Sequence, residues 1–141
     1  MVTTSGLNRL ARYLGAWLPM VAIAIANGSL RQGWYGHFMD ELAAHQISTA
    51  IALVLFTAYI WVILRRWPPT GRRQALAIGL LWLTLTLAFE FLFGHYIADH
   101  SWARLLADYD LAAGRVWVLI PLWIGLAPLV FHQIRERQTS H

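Results

Sequence analysis

The chain has 141 residues, 58% of them apolar and 13% charged, with a formal net charge of +4. That length allows one domain. An apolar share above the globular norm of about 45–50%, with half its usual charge of about 25%, excludes an ordinary water-soluble fold. The absence of cysteine excludes disulfides, thiolate metal sites and cysteine nucleophiles.

Apolar residues collect in four runs, 14–30, 47–64, 75–93 and 116–131. Crossing about 30 Å of hydrocarbon takes about 20 residues at about 1.5 Å each. The expected fold is therefore all-α, a single transmembrane domain over residues 1–141 forming a four-helix bundle, with spans at about 10–30, 45–64, 75–95 and 113–132. The first and last spans reach full length only if the flanking Arg12 and Arg115 snorkel to the interface.

In the first span, Arg9 and Arg12 before the apolar stretch 14–26, with Ala24-Ile25-Ala26 behind it, also fit a cleavable secretory signal. Trp17 and Pro19 suit a retained, kinked helix, which is the reading adopted. Asn27-Gly28-Ser29 is where this helix is expected to end or bend. Ala22 with Ala26, and Ala24 with Gly28, have the small-x-x-x-small spacing of close helix contacts. The following segment, residues 31–44, carries Trp34 and Tyr35 as interfacial anchors. Between spans two and three, Pro68-Pro69 and Gly71 break the helix within the arginine-rich stretch 65–73. The longest connection, 96–115, contains Ser101-Trp102-Ala103-Arg104-Leu105-Leu106-Ala107, a short amphipathic helix with Ser101 or Asp99 as its N-cap. Pro121 and Pro128 are expected to kink the last span.

Every basic residue is arginine, and eight of them (Arg9, Arg12, Arg65, Arg66, Arg72, Arg73, Arg135, Arg137) fall on one side of the bundle. Only Arg31, Arg104 and Arg115 fall on the other, so both termini and the 65–73 loop are expected to be cytoplasmic. With a pI of 10.1 carried at helix ends, anionic lipid is the expected partner, and nucleic acid is not. Acidic residues follow the opposite asymmetry. Asp40, Glu41, Asp99, Asp108 and Asp110 lie outside, as do His37, His45, His95 and His100, and Glu90 lies in the outer half of span three.

Glu90 is the most informative residue. An acid within a membrane span costs about 2.5–3.5 kcal/mol at the centre and less near the boundary, and such a residue reads by default as functional. A purely structural clamp to Arg115 or Asn27 is the competing reading. Glu90 and His95 are about 140° apart around a helix, so they share a face only if the helix unwinds at Gly94.

His37, Glu41 and His45 are spaced i, i+4, i+8, and with His95 and Asp99 opposite they would suit zinc, iron or copper. The spacing is no established zinc signature. His45 and His95 could alternatively ligate a b-type haem, with the small residues Ala44, Ser48 and Gly94 beside them. Serine hydrolase chemistry is poorly supported, since Ser29, Ser48 and Ser101 stand in no Gly-x-Ser-x-Gly turn.

Three stretches, Asn27-Gly28-Ser29-Leu30-Arg31, Phe89-Glu90-Phe91-Leu92-Phe93-Gly94-His95-Tyr96, and Asp108-Tyr109-Asp110-Leu111-Ala112-Ala113-Gly114-Arg115-Val116-Trp117, carry a family resemblance. Together they resemble small bacterial four-span integral membrane proteins of about this length, a group without an assigned activity. The resemblance implies a multi-pass protein of the bacterial inner (cytoplasmic) membrane and nothing mechanistic.

The expected site is thus a polar pocket opening outward, framed by Asn27, Arg31, His45, Glu90, His95 and Arg115 and covered by the 102–107 helix. Its expected role is binding a small molecule, an ion or a lipid headgroup, in a homo-oligomer or as an accessory subunit of a larger membrane complex. A haem b electron-transfer protein using His45 and His95, and an enzyme using a divalent transition metal at His37, Glu41, His45, His95 and Asp99, remain open as alternatives.

Overall fold

The computed structural model describes residues 4–107, 109–110 and 116–139. Four long helices, α1 (Thr4–Gly33), α2 (Glu41–Arg66), α3 (Arg72–Tyr96) and α5 (Leu119–Thr139), are joined by a 3₁₀ turn at Tyr35–Phe38 and by the short α4 (Trp102–Ala107). Three segments, Asn8–Phe38, Glu41–Arg66 and Arg72–Tyr96, are long and apolar enough to cross a membrane. In α5 the apolar stretch 119–131 gives way to His132, Arg135, Glu136 and Arg137, so the described part of this helix is not such a segment.

An apolar core, with Phe56, Ile60, Ile78 and Trp82 at its centre, is surrounded by an exterior that is also apolar. Large apolar side chains point outward from every long helix, among them Leu18, Val54, Leu80 and Leu126. Buried inside are Asn27, His45, Ser48, Thr49 and Thr86. In water such an exterior would drive association, whereas hydrocarbon is a suitable solvent for it. The chain is therefore a helical membrane protein.

Local signals account for several boundaries. Asp40 caps α2, its Oδ1 accepting from Ala43 N at 2.7 Å, and Arg65 and Arg66 end that helix against its negative dipole. Ser101 caps α4 by accepting from Arg104 N at 3.1 Å, as the sequence suggests. Asp99 turns the chain between α3 and α4 with φ of 58°, a left-handed conformation that Asp tolerates better than most residues.

Other expectations fail for tertiary reasons. Asn27-Gly28-Ser29 does not end α1. Asn27 is buried, and its Nδ2 donates to Ser48 O of α2 at 2.9 Å, so the side chain is satisfied across the interface and the helix runs on to Gly33. Pro121 falls in the first turn of α5, where a missing N–H leaves no gap in the ladder, so only Pro128 interrupts the helix interior.

The helices are not packed equally tightly. α3 and α5 approach most closely at Gly79 and Gly125, where a Cβ on Gly79 would lie 2.0 Å from Gly125 O. α1 meets α3 at the arginine-rich end through a ring cluster. Trp82 Nε1 donates to Tyr13 O at 2.9 Å, Tyr13 Oη donates to Trp67 O at 2.6 Å, and one turn further Trp17 Nε1 donates to Thr86 Oγ1 at 3.1 Å. Beyond Trp17 and Thr86, toward the other end, a cavity opens between the two helices.

Candidate functional site

The cavity has a volume of about 390 Å³. One wall is α1, from Trp17 through Ala24 and Gly28 to Arg31, and the other is α3, from Thr86 to Gly94. Phe56 and His45 of α2 and Ile120 and Ile124 of α5 form its base. Exposed Ser29, Gln32 and Ala98 mark its outer end, while exposed Ile25 marks its outward flank on α1. The lining is mostly apolar and aromatic, with a few polar groups gathered toward one end, a composition typical of small-molecule sites.

Glu90 is the centre of that polar group. Trp117 Nε1 donates to Glu90 Oε1 at 2.8 Å, and Tyr109 Oη donates to Glu90 Oε2. Each oxygen therefore meets a donor, the arrangement a half-buried carboxyl group needs to offset lost hydration. Tyr109 is held by the neighbouring residue as well, its ring stacking on Phe91 at 5.6 Å with 12° between the planes. Adjacent positions on α3 thus grip one tyrosine by its hydroxyl and by its face.

Arg31 and His45 complete the polar end. The Arg31 guanidinium donates from Nη1 to Ser48 Oγ at 3.3 Å, and among the described residues no carboxylate pairs with it. His45 is 7% exposed and its ring lies 5.8 Å from that of Trp117. His100 also lines the space. A cation, an acid and two imidazoles at one end of an apolar chamber can orient the head of an amphiphile while its body packs against aromatic walls.

α4 closes over this region. A Cβ added to Gly94 would lie 2.6 Å from Leu105 Cδ2, so the glycine makes the room that Leu105 fills. His95 stacks on Trp102 at 3.8 Å and 16°, and its Nδ1 lies 2.9 Å from His100 O, which requires the proton on Nδ1.

Of the six residues expected to frame the pocket, Arg31, His45 and Glu90 line one cavity. Asn27 is turned to Ser48 instead. His95 is turned to α4, in keeping with its angular separation from Glu90, because α3 stays helical through Gly94 to Tyr96. Arg115, the expected ionic partner of Glu90, lies outside the described residues.

The expected metal set does not assemble. His37 belongs to the 3₁₀ turn, and extended Met39 and Asp40 separate it from α2, so the helical phase that would stack it above Glu41 and His45 is lost. His37, Glu41 and Asp99 are exposed, whereas His45 is buried. Among the described residues no three His, Asp or Glu side chains form a metal-holding group. Of the two histidines considered as haem ligands, His45 lines the cavity, whereas His95 is not among its lining residues and stacks on Trp102.

Two site residues escape sequence reasoning. In sequence, Tyr109 stands between two aspartates of the 96–115 connection and Trp117 at the start of an apolar run. The available signal is that an acid in an apolar helix needs donors and that both residues lie, in sequence, toward the same end of the helices as Glu90. Comparison with protein-family models, curated proteins and solved structures finds no match to this chain.

Proposed function

We propose that this is a four-span protein of the bacterial inner membrane, with both termini cytoplasmic, that binds an amphiphile in the extracytoplasmic half of the bilayer. The polar head lies at Arg31, His45 and Glu90, and the apolar body lies between α1 and α3 against Trp17, Phe89 and Ile120. The observation that carries this reading is a carboxyl group, held by Tyr109 and Trp117, at one end of an aromatic-lined cavity of about 390 Å³. The fourth span combines the apolar run 116–131 with Arg115 at its outer end, and the arginine asymmetry supports the orientation.

The test is organic extraction of protein purified in a mild detergent, with mass spectrometry of the extract against bulk membrane lipid. Wild type should carry one molecular species far above its bulk abundance, and Glu90→Gln should lose it. An extract matching bulk lipid in both proteins would sink the proposal.

A further inference from the structure

A second cavity, of about 500 Å³, lies at the opposite end of the bundle, where α2 and α5 emerge among the arginines. Its floor is Trp61, Leu64 and Phe131. The two rings are fixed edge to face, with centroids 5.1 Å apart and 81° between their planes, and Phe131 is braced in turn by Trp123 at 5.8 Å. Its rim is Arg65 from the end of α2 and Arg135 from α5, with Pro69 of the loop closing one side. Both arginines are exposed, and among the described residues neither is paired with a carboxylate. The Arg65 guanidinium leans over the Trp61 ring at 6.0 Å from its centroid.

The acid nearest this rim along α5 is Glu136. Its side chain is 67% exposed, and its Oε1 lies 3.1 Å from Nε2 of His132, a buried residue of the cavity wall. Two arginines therefore border one cleft that is lined below by aromatic rings, at the arginine-rich end of the bundle. A planar guanidinium matches phosphate oxygens in a fork, and two of them on one rim match a single phosphodiester. The apolar floor beneath matches the glycerol and first methylenes of a lipid better than a fully hydrated free anion.

We propose that this cleft is a binding site for the phosphate headgroup of an anionic phospholipid of the inner leaflet, gripped by Arg65 and Arg135 above Trp61 and Phe131. The leaflet rests on the orientation proposed above; the site itself is separate from the Glu90 cavity and independent of what that cavity holds. Charge-assisted bonds from both guanidiniums to one phosphate are lost together, so removing both should weaken binding about tenfold, which corresponds to about 1.4 kcal/mol.

Native mass spectrometry of the full-length protein from neutral detergent, titrated with phosphatidylglycerol or phosphatidylcholine, tests this directly. Wild type should retain phosphatidylglycerol in preference to phosphatidylcholine. The double variant Arg65→Gln/Arg135→Gln should lose that preference by about tenfold, while Arg72→Gln/Arg73→Gln, which removes the same charge away from the cleft, should change it less than threefold, roughly the size of a weak surface effect. Millimolar inorganic phosphate should not displace the lipid. Equal retention of both lipids, an equal loss in the two double variants, or displacement by inorganic phosphate would each overturn the assignment.

Discussion

Trp117 Nε1 donates to Glu90 Oε1 across 2.8 Å, tying the chain just before α5 to the only acid within α3. Trp117→Phe keeps an aromatic ring there and removes the donor. A hydrogen bond to a charged group contributes about 1.5–3 kcal/mol in soluble proteins, but interhelical bonds in membranes average about 0.6 and reach about 1.7. The membrane figures apply here, so a loss of about 0.6–1.7 kcal/mol is expected, read as lowered thermal stability in detergent. A variant as stable as wild type would show that this bond contributes nothing.

Among the contacts of Tyr109, substitution can separate the hydroxyl bond to Glu90 from the ring stack on Phe91. Tyr109→Phe keeps the stack on Phe91 and loses the hydroxyl donated to Glu90, whereas Tyr109→Ala loses both. An aromatic pair contributes about 0.5–1.5 kcal/mol beyond burial. Alanine should therefore destabilise the protein measurably more than phenylalanine, and equal effects in thermal melts would exclude a role for the stack.

Two glycines should respond differently to alanine. At Gly79 the new Cβ meets backbone, the Gly125 carbonyl oxygen at 2.0 Å, and the α3–α5 pair must separate. At Gly94 it meets the end of a flexible side chain, Leu105 Cδ2 at 2.6 Å, which can rotate or lift α4. Overpacking costs about 1–3 kcal/mol. Gly79→Ala should fall at or above the top of that range and Gly94→Ala near the bottom, with Gly94→Ala increasing protease cleavage near α4. The reverse ranking in denaturation would contradict this packing.

The absence of native cysteine makes orientation directly measurable. Ser101→Cys, before α4, should react with a membrane-impermeant maleimide added outside intact cells. Thr70→Cys, in the α2–α3 turn, should react only after permeabilisation. Labelling of Thr70→Cys alone in intact cells would invert the proposed topology.

How much of this was legible in the sequence depended on whether the deciding interaction was local. The helical runs, the Ser101 cap of α4 and the angular separation of Glu90 from His95 follow from helix period and capping chemistry. The continuation of α1 through Asn27-Gly28-Ser29 does not, because a buried bond to Ser48, 21 residues away, overrides the local stop signal. The stack of His37 on Glu41 and His45 was a sound extrapolation of a helix that starts only after Asp40. Arg31, His45 and Glu90 were legible as polar groups at one end of the helices, but their convergence on one cavity required the packing of α1, α2 and α3.

The sequence by itself determined that this chain is helical, that its apolar exterior suits lipid, that its arginines gather at one end and that an acid sits inside a span. Each follows from transfer free energy and periodicity within one segment. Only the tertiary structure decided that α1 and α3 part beyond Trp17 and Thr86, and that Glu90 is met by Tyr109 and Trp117, 19 and 27 residues away. The physical reason is that a helix's period relates side chains only along its own axis. Which of them meet across the bundle is set by the rotation and spacing of whole helices, governed by contacts as small as the approach of Gly79 to Gly125.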